Sequence, residues 1–309
     1  MFLNIAYITK VNVASLNGGE GSGGNVTVMK KISNANGDEF AYVSGQALRH
    51  YLKDTLMQLG ELISGIDDNG QPLVMIDNKK VDFGKFDVNN IEDNIKKTIF
   101  AYTDLDLFAF MLPVKGGQAY RRWSPVKVSP LVSLLPYKGE YDYLTRKASN
   151  VSKNAIVQVE IDTLNFMRGN IMINTAHIGN EINEYTYEVK KILSDEDKNK
   201  RLNVLLDAIK SFNGGAKQAR NLEDIAPKFI IVSKQKTGNP FLLNALSVDN
   251  NDNINIENIK EALDDNAPEQ YTVGIAKGIF ANEQEIRDIF PNVVTVAQAI
   301  EMYKNSIEA

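Results

Sequence analysis

The side chains that could do covalent chemistry in this chain are few. Only His50 and His177 offer an imidazole, and the 309 residues include no cysteine. Thiol catalysis and disulfides are therefore excluded, and a reducing compartment fits. The two histidines are distant in sequence and lack HxxxH or HxE spacing, which argues against a zinc centre. No GxSxG elbow marks a serine nucleophile. What remains is the chemistry of contact: glycines, amides and cations, gathered in three places.

The first place is near the N-terminus. Asn17-Gly18-Gly19-Glu20-Gly21-Ser22-Gly23-Gly24-Asn25 holds five glycines in nine residues. Without a Cβ, glycine lets backbone N–H groups come close to a phosphate. No Gly-Lys-Ser/Thr follows, so this is no Walker loop. A strand-like segment follows, so it is no dinucleotide fingerprint either. A plain flexible loop also fits. Next comes a helix that Ser44 can cap. Leu48, Tyr51, Leu52, Thr55, Leu56 and Leu59 form its apolar stripe. Gln46, Arg49 and Lys53 fall on another face, near the helix end that favours anions. That face reads as a solvated surface or as a grip on a polyanion, with Arg49 forking onto phosphate and Gln46 serving sugar or base edges.

The second place lies far downstream. Leu202, Leu205, Leu206, Ile209 and Phe212 stripe a helix that Asn213-Gly214-Gly215 stops, with a glycine suited to the left-handed cap. Ala216-Lys217-Gln218-Ala219-Arg220 follows, then the apolar run Phe229 to Val232. This is either an ordinary connector or a second backbone-binding loop, with Lys217 and Arg220 on phosphates and Gln218 on sugar or base.

The third place is Tyr120-Arg121-Arg122-Trp123-Ser124-Pro125-Val126-Lys127. Charge for a backbone and rings for stacked bases suit a nucleic-acid groove. Trp123 is the only tryptophan, and a lone tryptophan is more often a core anchor than a stacking platform. The polar stretch to Lys153 carries Tyr137, Tyr141 and Tyr143. From Pro113 to Lys153 there are eight basic residues against Glu140 and Asp142, and eight minus two gives +6 within a chain of net charge −5. A free nucleic-acid-binding domain is usually basic, so a nucleic-acid surface here must be a patch. Such segregation steers a polyanion to one side.

These residues need a frame. Strands are expected at Phe2–Val13, Leu105–Val114, Val126–Leu135 and Lys228–Lys234, with a pair at Ile156–Asn165 and Asn170–Ala176 joined around Met167-Arg168-Gly169. Pro125 to Pro136 reads as a hairpin arm, and Asp67 to Asn94 as a surface excursion. Helices are expected at Val43–Ile63 and Asp197–Phe212. The tail adds a helix near Ile256–Asp265, a strand at Tyr271–Phe280 and a helix near Val296–Ser306. The order is α+β, β-α-β-β-α-β, with a large insertion after the first helix. The longest apolar runs, Phe108–Val114 and Phe229–Val232, are strand-sized and far below a membrane span. No signal peptide is expected.

Leu16-Asn17-Gly18-Gly19-Glu20, the strand-like Asn25–Ile32 and the run Val43-Ser44-Gly45-Gln46-Ala47-Leu48-Arg49-His50-Tyr51-Leu52-Lys53 together resemble the Cas-seven (DevR) family. Its members are the backbone subunits of type I CRISPR effector complexes, or Cascade. The family pattern is an asparagine-glycine loop, a short strand and a Ser-x-Gln-x-Leu-Arg/Lys helix, with a glycine-plus-basic loop ahead of a later strand, as at Gly214–Arg220. The variant looks most like type I-B.

The resemblance implies a modified ferredoxin-like (RNA-recognition-motif) palm with inserted fingers and thumb. The palm would take residues 1–64, 155–248 and part of 270–309, and the insertion 65–154. It implies a non-catalytic, cytoplasmic subunit with no cofactor and no membrane. Copies of the chain would polymerise along a crRNA and support its pairing with a target DNA strand. The other implied partners are the large subunit, the subunit capping the crRNA 5′ end and the crRNA-processing endonuclease. RNA would be held by Asn17, Ser44, Gln46, Arg49, Lys53, Arg121, Arg122, Lys217, Gln218 and Arg220. A thumb at Tyr137–Lys153, with Tyr141, Arg146 and Lys147, would kink the guide and touch the next copy. Related type III subunits cut RNA with an aspartate in the loop after the first strand. Here Val11 to Met29 holds no aspartate and only one acid, Glu20. A metal-dependent RNase using Glu20 is the alternative from another class. An auto-regulatory transcription factor is a third, which no helix-turn-helix pattern supports.

Overall fold

The first strand, β1 (Phe2–Ala14), is apolar on both faces, and that decides its place. Leu3, Ile5 and Tyr7 face one side, Ala6 and Ile8 the other, and all are buried. Such a strand belongs inside a sheet covered on both faces. The structure, a computed structural model, describes residues 1–19, 26–88, 91–146, 155–183 and 186–307.

After β1 come β2 (Glu39–Val43), α1 (Gly45–Gln58), α2 (Asp93–Ala101), α3 (Thr103–Phe108), β3 (Phe110–Pro113) and β4 (Ala119–Arg122). Then follow β5 (Val126–Val128), β6 (Leu131–Ser133), β7 (Glu140–Arg146), β8 (Ala155–Asn174), α4 (Asp195–Lys210) and β9 (Phe229–Gln235). The tail holds α5 (Ile256–Asn266), β10 (Gln270–Ile275), α6 (Glu283–Ile289) and α7 (Val296–Glu301). The main sheet runs β10-β9-β1-β8-β6-β2, with Lys31–Ser33 at its edge, and β5 and β7 also pair with β8. β1 is antiparallel to both β8 and β9, with Tyr7 opposite Gly169 and Ile5 opposite Val232.

On one face α1, α4 and α7 pack against Leu3, Ile5, Tyr7, Ile230 and Val232. On the other, α5, α6 and the turns from Leu242 cover Ala6, Ile8, Phe229 and Ile231. Helix α1 forms as its stripe requires: Leu48, Leu52 and Leu56 are buried, and the Ser44 side chain accepts from the Ala47 N–H. It stops at Gln58, short of Ile63, because Gly60 turns left-handed at φ 91°.

The structure corrects several expectations. The stretch read as a strand pair around Met167-Arg168-Gly169 is one strand of 20 residues. Gly169 is no turn; a Cβ there would lie 2.8 Å from the Tyr7 ring and from Leu131, so glycine is required by packing. Met167 is buried, and Arg168 donates to the Leu246 carbonyl. Pro125–Pro136 is not a hairpin arm. Its two strands both pair with β8, interrupted by an extra residue at Ser129-Pro130, where proline cannot donate to the ladder. Leu105–Phe108 is helical, since its neighbours Asp104 and Asp106 are drawn inward by distant partners. The expected excursion at Asp67–Asn94 instead contributes Val74, Phe83 and Ile91 to a third core, with Ile95, Ile99, Leu112 and Tyr120. The strand near Tyr271 ends at Ile275, and the last helix at Glu301.

Candidate nucleic-acid interface

Three chain segments meet beside α1. The Tyr51 hydroxyl donates to the Leu16 carbonyl at 2.8 Å. The Ala216 N–H donates to the Ser15 carbonyl at 2.8 Å. Gly214 packs against the Tyr51 ring, and its neighbour Gly215 has φ 125°. Burial raises the Tyr51 pKa against the opposing Gly215 backbone hydrogen bond. The start of the glycine loop, the helix and the downstream loop thus form one seam, although some 160 residues separate the last two in sequence. Tyr51 was read only as part of a core stripe, and its bridging role was missed. Residues 20–25, including Glu20, lie outside the described residues.

On this seam the expected site residues divide. Lys217 is exposed and sits at φ 60°; its carbonyl accepts the Arg220 and Asn221 N–H groups, and its ammonium has no partner among the described residues. Gln46 is likewise exposed and unpartnered there. Arg220 lies 3.8 Å from Asp142, a loose ion pair. Gln218 folds back, donating to the Gly214 carbonyl at 2.6 Å, so its amide braces the loop. Asn17 accepts the Lys30 N–H through its carbonyl, while its side-chain nitrogen is buried without a partner among the described residues. Ser44 is committed to the helix cap.

Arg49 and Lys53 point to the opposite flank of α1, away from Tyr51. Arg49 donates to the Phe108 carbonyl, and burial lowers its pKa; its Nε is unpaired among the described residues. Lys53 is already ion-paired. Its Nζ lies 2.9 Å from Asp104, which is fully buried and also accepts from Ser64 N and Oγ at 2.8 and 2.7 Å. Removing Lys53 would leave a buried charge without its counter-ion.

Arg122 is likewise engaged within the fold. Its guanidinium is buried, lies 4.5 Å from the Phe100 ring centre, and bonds the Asp106 carboxylate. It donates further to the carbonyls of Asp106, His177 and Asn180. Burial lowers its pKa, with Asp106 opposing. Arg201 shares Asp106 at 3.0 Å. This is a structural network. By contrast Arg121 is exposed and unpartnered among the described residues. Trp123, expected in the core, is 54% exposed.

Tyr141 and Tyr143 are exposed on β7, which pairs with β8 from Glu140 opposite Ile161 to Arg146 opposite Ala155. The Arg146 side chain and Lys147 lie outside what is described. Among the described residues no cluster of His, Cys, Asp and Glu is placed to hold a metal ion, and no helix is long and apolar enough to cross a membrane.

Comparison with known proteins decides the family. The model for CRISPR-associated negative auto-regulator DevR/Csa2 matches residues 5–255. The chain belongs to this family. The DevR/Csa2 match covers β1 from Ile5 onward, α1, the seam and the Arg122 network. Two solved chains share the fold. One, from a "CRISPR RNA-guided surveillance complex, pre-nicking", has TM-score 0.65 and 12% identity over 100% of both chains. Another, from a "CRISPR RNA-guided surveillance complex", has TM-score 0.61 and 12% identity, again over 100% of both. The shared architecture is a mixed α+β fold built on a large antiparallel sheet. No curated protein matches the chain.

Proposed function

We propose that this chain is a non-catalytic guide-binding backbone subunit of a type I CRISPR effector complex, most like type I-B. The observation that carries the reading is the seam of Leu16, Tyr51 and the Gly214–Gln218 loop, which leaves Lys217 exposed. Membership of the DevR/Csa2 family supplies the class of assembly. Glycine-lined loops ending in free cations suit a sugar-phosphate backbone, and such contacts position a strand without reading its bases. Sequence is then read by pairing between crRNA and target strand, whose duplex the protein holds by shape and charge. An acidic subunit can do this because each copy supplies only a few cations and repetition supplies the affinity. Its partners on this reading are further copies, the large subunit, the crRNA 5′-capping subunit and the processing endonuclease.

The strand order β9-β1-β8-β5/β6, with α1 after β1 and α4 after β8, supports a ferredoxin-like palm. The palm comprises 1–64, 155–248 and part of 270–309, and the inserted 65–154 lends it β5 and β6. The loop Val11–Met29 lacks an aspartate, so this subunit holds RNA without cutting it.

The test is purification of the chain with the other products of its operon. A discrete small RNA and other subunits should come with it. Lys217→Ala with Arg220→Ala should weaken RNA binding and reduce its salt slope. Absence of RNA, or unchanged binding across a salt titration, would overturn the assignment. Metal-dependent RNA cleavage lost in Glu20→Gln would favour the RNase reading instead.

A further inference from the structure

A cleft of about 510 Å³ opens between the β3–β4 hairpin and the segment His177–Asn183. Its volume falls in the range of small-ligand sites, about 300–1,000 Å³. Trp123 stands on its wall 54% exposed, and Arg121 is exposed without a partner among the described residues. The neighbouring wall is fixed. Arg122 ties β4 to the carbonyls of His177 and Asn180 at 2.6 Å each, so the two sides of the cleft are joined before anything binds. Among the described residues the one acid of the cleft wall is Glu181, and it is already paired: Lys96 donates to both its oxygens at 2.9 Å and the Tyr120 hydroxyl at 2.8 Å. Burial first, then Arg122, the N-terminal amine and Lys127, lowers the His177 pKa.

A single exposed indole beside a free guanidinium and amides offers little contiguous apolar area. It suits a planar ring carrying an anion. We infer that this cleft binds one unpaired nucleobase with its phosphate, the base stacked on Trp123 and the phosphate paired with Arg121. The site is separate from the seam beside α1 and goes beyond the guide-holding role. Stacking on an aromatic side chain is tolerant of base identity, and Arg121 supplies the electrostatic part. The source is an unstacked nucleotide of a strand or a free nucleotide, which share this chemistry.

Trp123 is the only tryptophan, so its fluorescence reports on this cleft alone. RNA-free full-length chain is titrated at low salt with AMP and with a short oligothymidylate. Saturable quenching is expected. Tighter binding of the oligonucleotide identifies a strand as the source, and equal binding a free nucleotide. Anisotropy of a labelled oligonucleotide should show Trp123→Ala binding about ten-fold more weakly, Trp123→Phe restoring most of it, and Arg121→Ala lowering the salt slope. Guide retention by Trp123→Ala should be unchanged, which separates this site from the seam. No quenching by either probe overturns the proposal. So does Trp123 emission that changes only with protein concentration, since the occupant is then a second copy.

Discussion

Gly214 lies so close to Tyr51 that a Cβ added to it would fall 2.2 Å from the ring's Cγ. The downstream loop is therefore seated on α1 by a ring that only glycine can approach. Its φ of 159° is near-extended, so the requirement is mainly one of space. Gly214→Ala should cost about 1–3 kcal/mol, as overpacking does, and should weaken RNA binding by shifting Lys217. Combining it with Tyr51→Ala should recover part of the stability, a non-additive result that denaturant melts of the single and double variants will show.

Lys53 is expected to act on stability and not on RNA. Its ammonium is about a third exposed, so solvent screens part of the pair with buried Asp104. Lys53→Met should lower stability by about 1–3 kcal/mol and leave the salt dependence of RNA binding unchanged. A reduced salt slope would restore Lys53 as a phosphate ligand.

Arg122 should be far less replaceable. Arg122→Met leaves the buried Asp106 carboxylate with Arg201 and the Gly179 N–H alone and removes the donor from three backbone carbonyls, at about 3–5 kcal/mol. Arg122→Lys should recover little, because an ammonium cannot spread over that planar set of acceptors. Urea unfolding of both variants measures this.

Asp162 gives a pH signature. Its carboxyl is buried on β8, with one oxygen 3.2 Å from the Asn165 amide and the other unpartnered among the described residues. Burial raises its pKa to about 6, against the Asn165 and Thr163 hydrogen bonds. The folded chain therefore holds this proton more tightly than the unfolded chain, whose carboxylate titrates near 3.9. The group's contribution is fully present below about pH 4 and lost as pH rises through about 6. Asp162→Asn mimics the neutral acid. It should raise stability at pH 7 by about 1–3 kcal/mol and flatten the profile between about pH 4 and 6. Thermal melts across that window would show no difference if Asp162 titrates normally.

The sequence by itself determined what is local. The two-sided apolar pattern of Phe2–Ala14 placed β1 inside a sheet, and the stripe of Leu48, Leu52 and Leu56 with its Ser44 cap defined α1. It also marked the glycines and cations of two loops that proved to be neighbours. It did not show which cations are free, because charge is a property of a residue and availability is a property of its partners. Lys53 meets its acid 51 residues away, and Arg122 finds acceptors 16, 55 and 58 residues away. Packing likewise made Gly169 a contact where the sequence suggested a turn, and left Trp123 in the open where a core was expected. The tertiary structure decided these points because the low-dielectric interior keeps a charge only when its counter-charge arrives with it. Arg122 and Lys53 arrived with theirs, and Arg121 and Lys217 were left to face a partner.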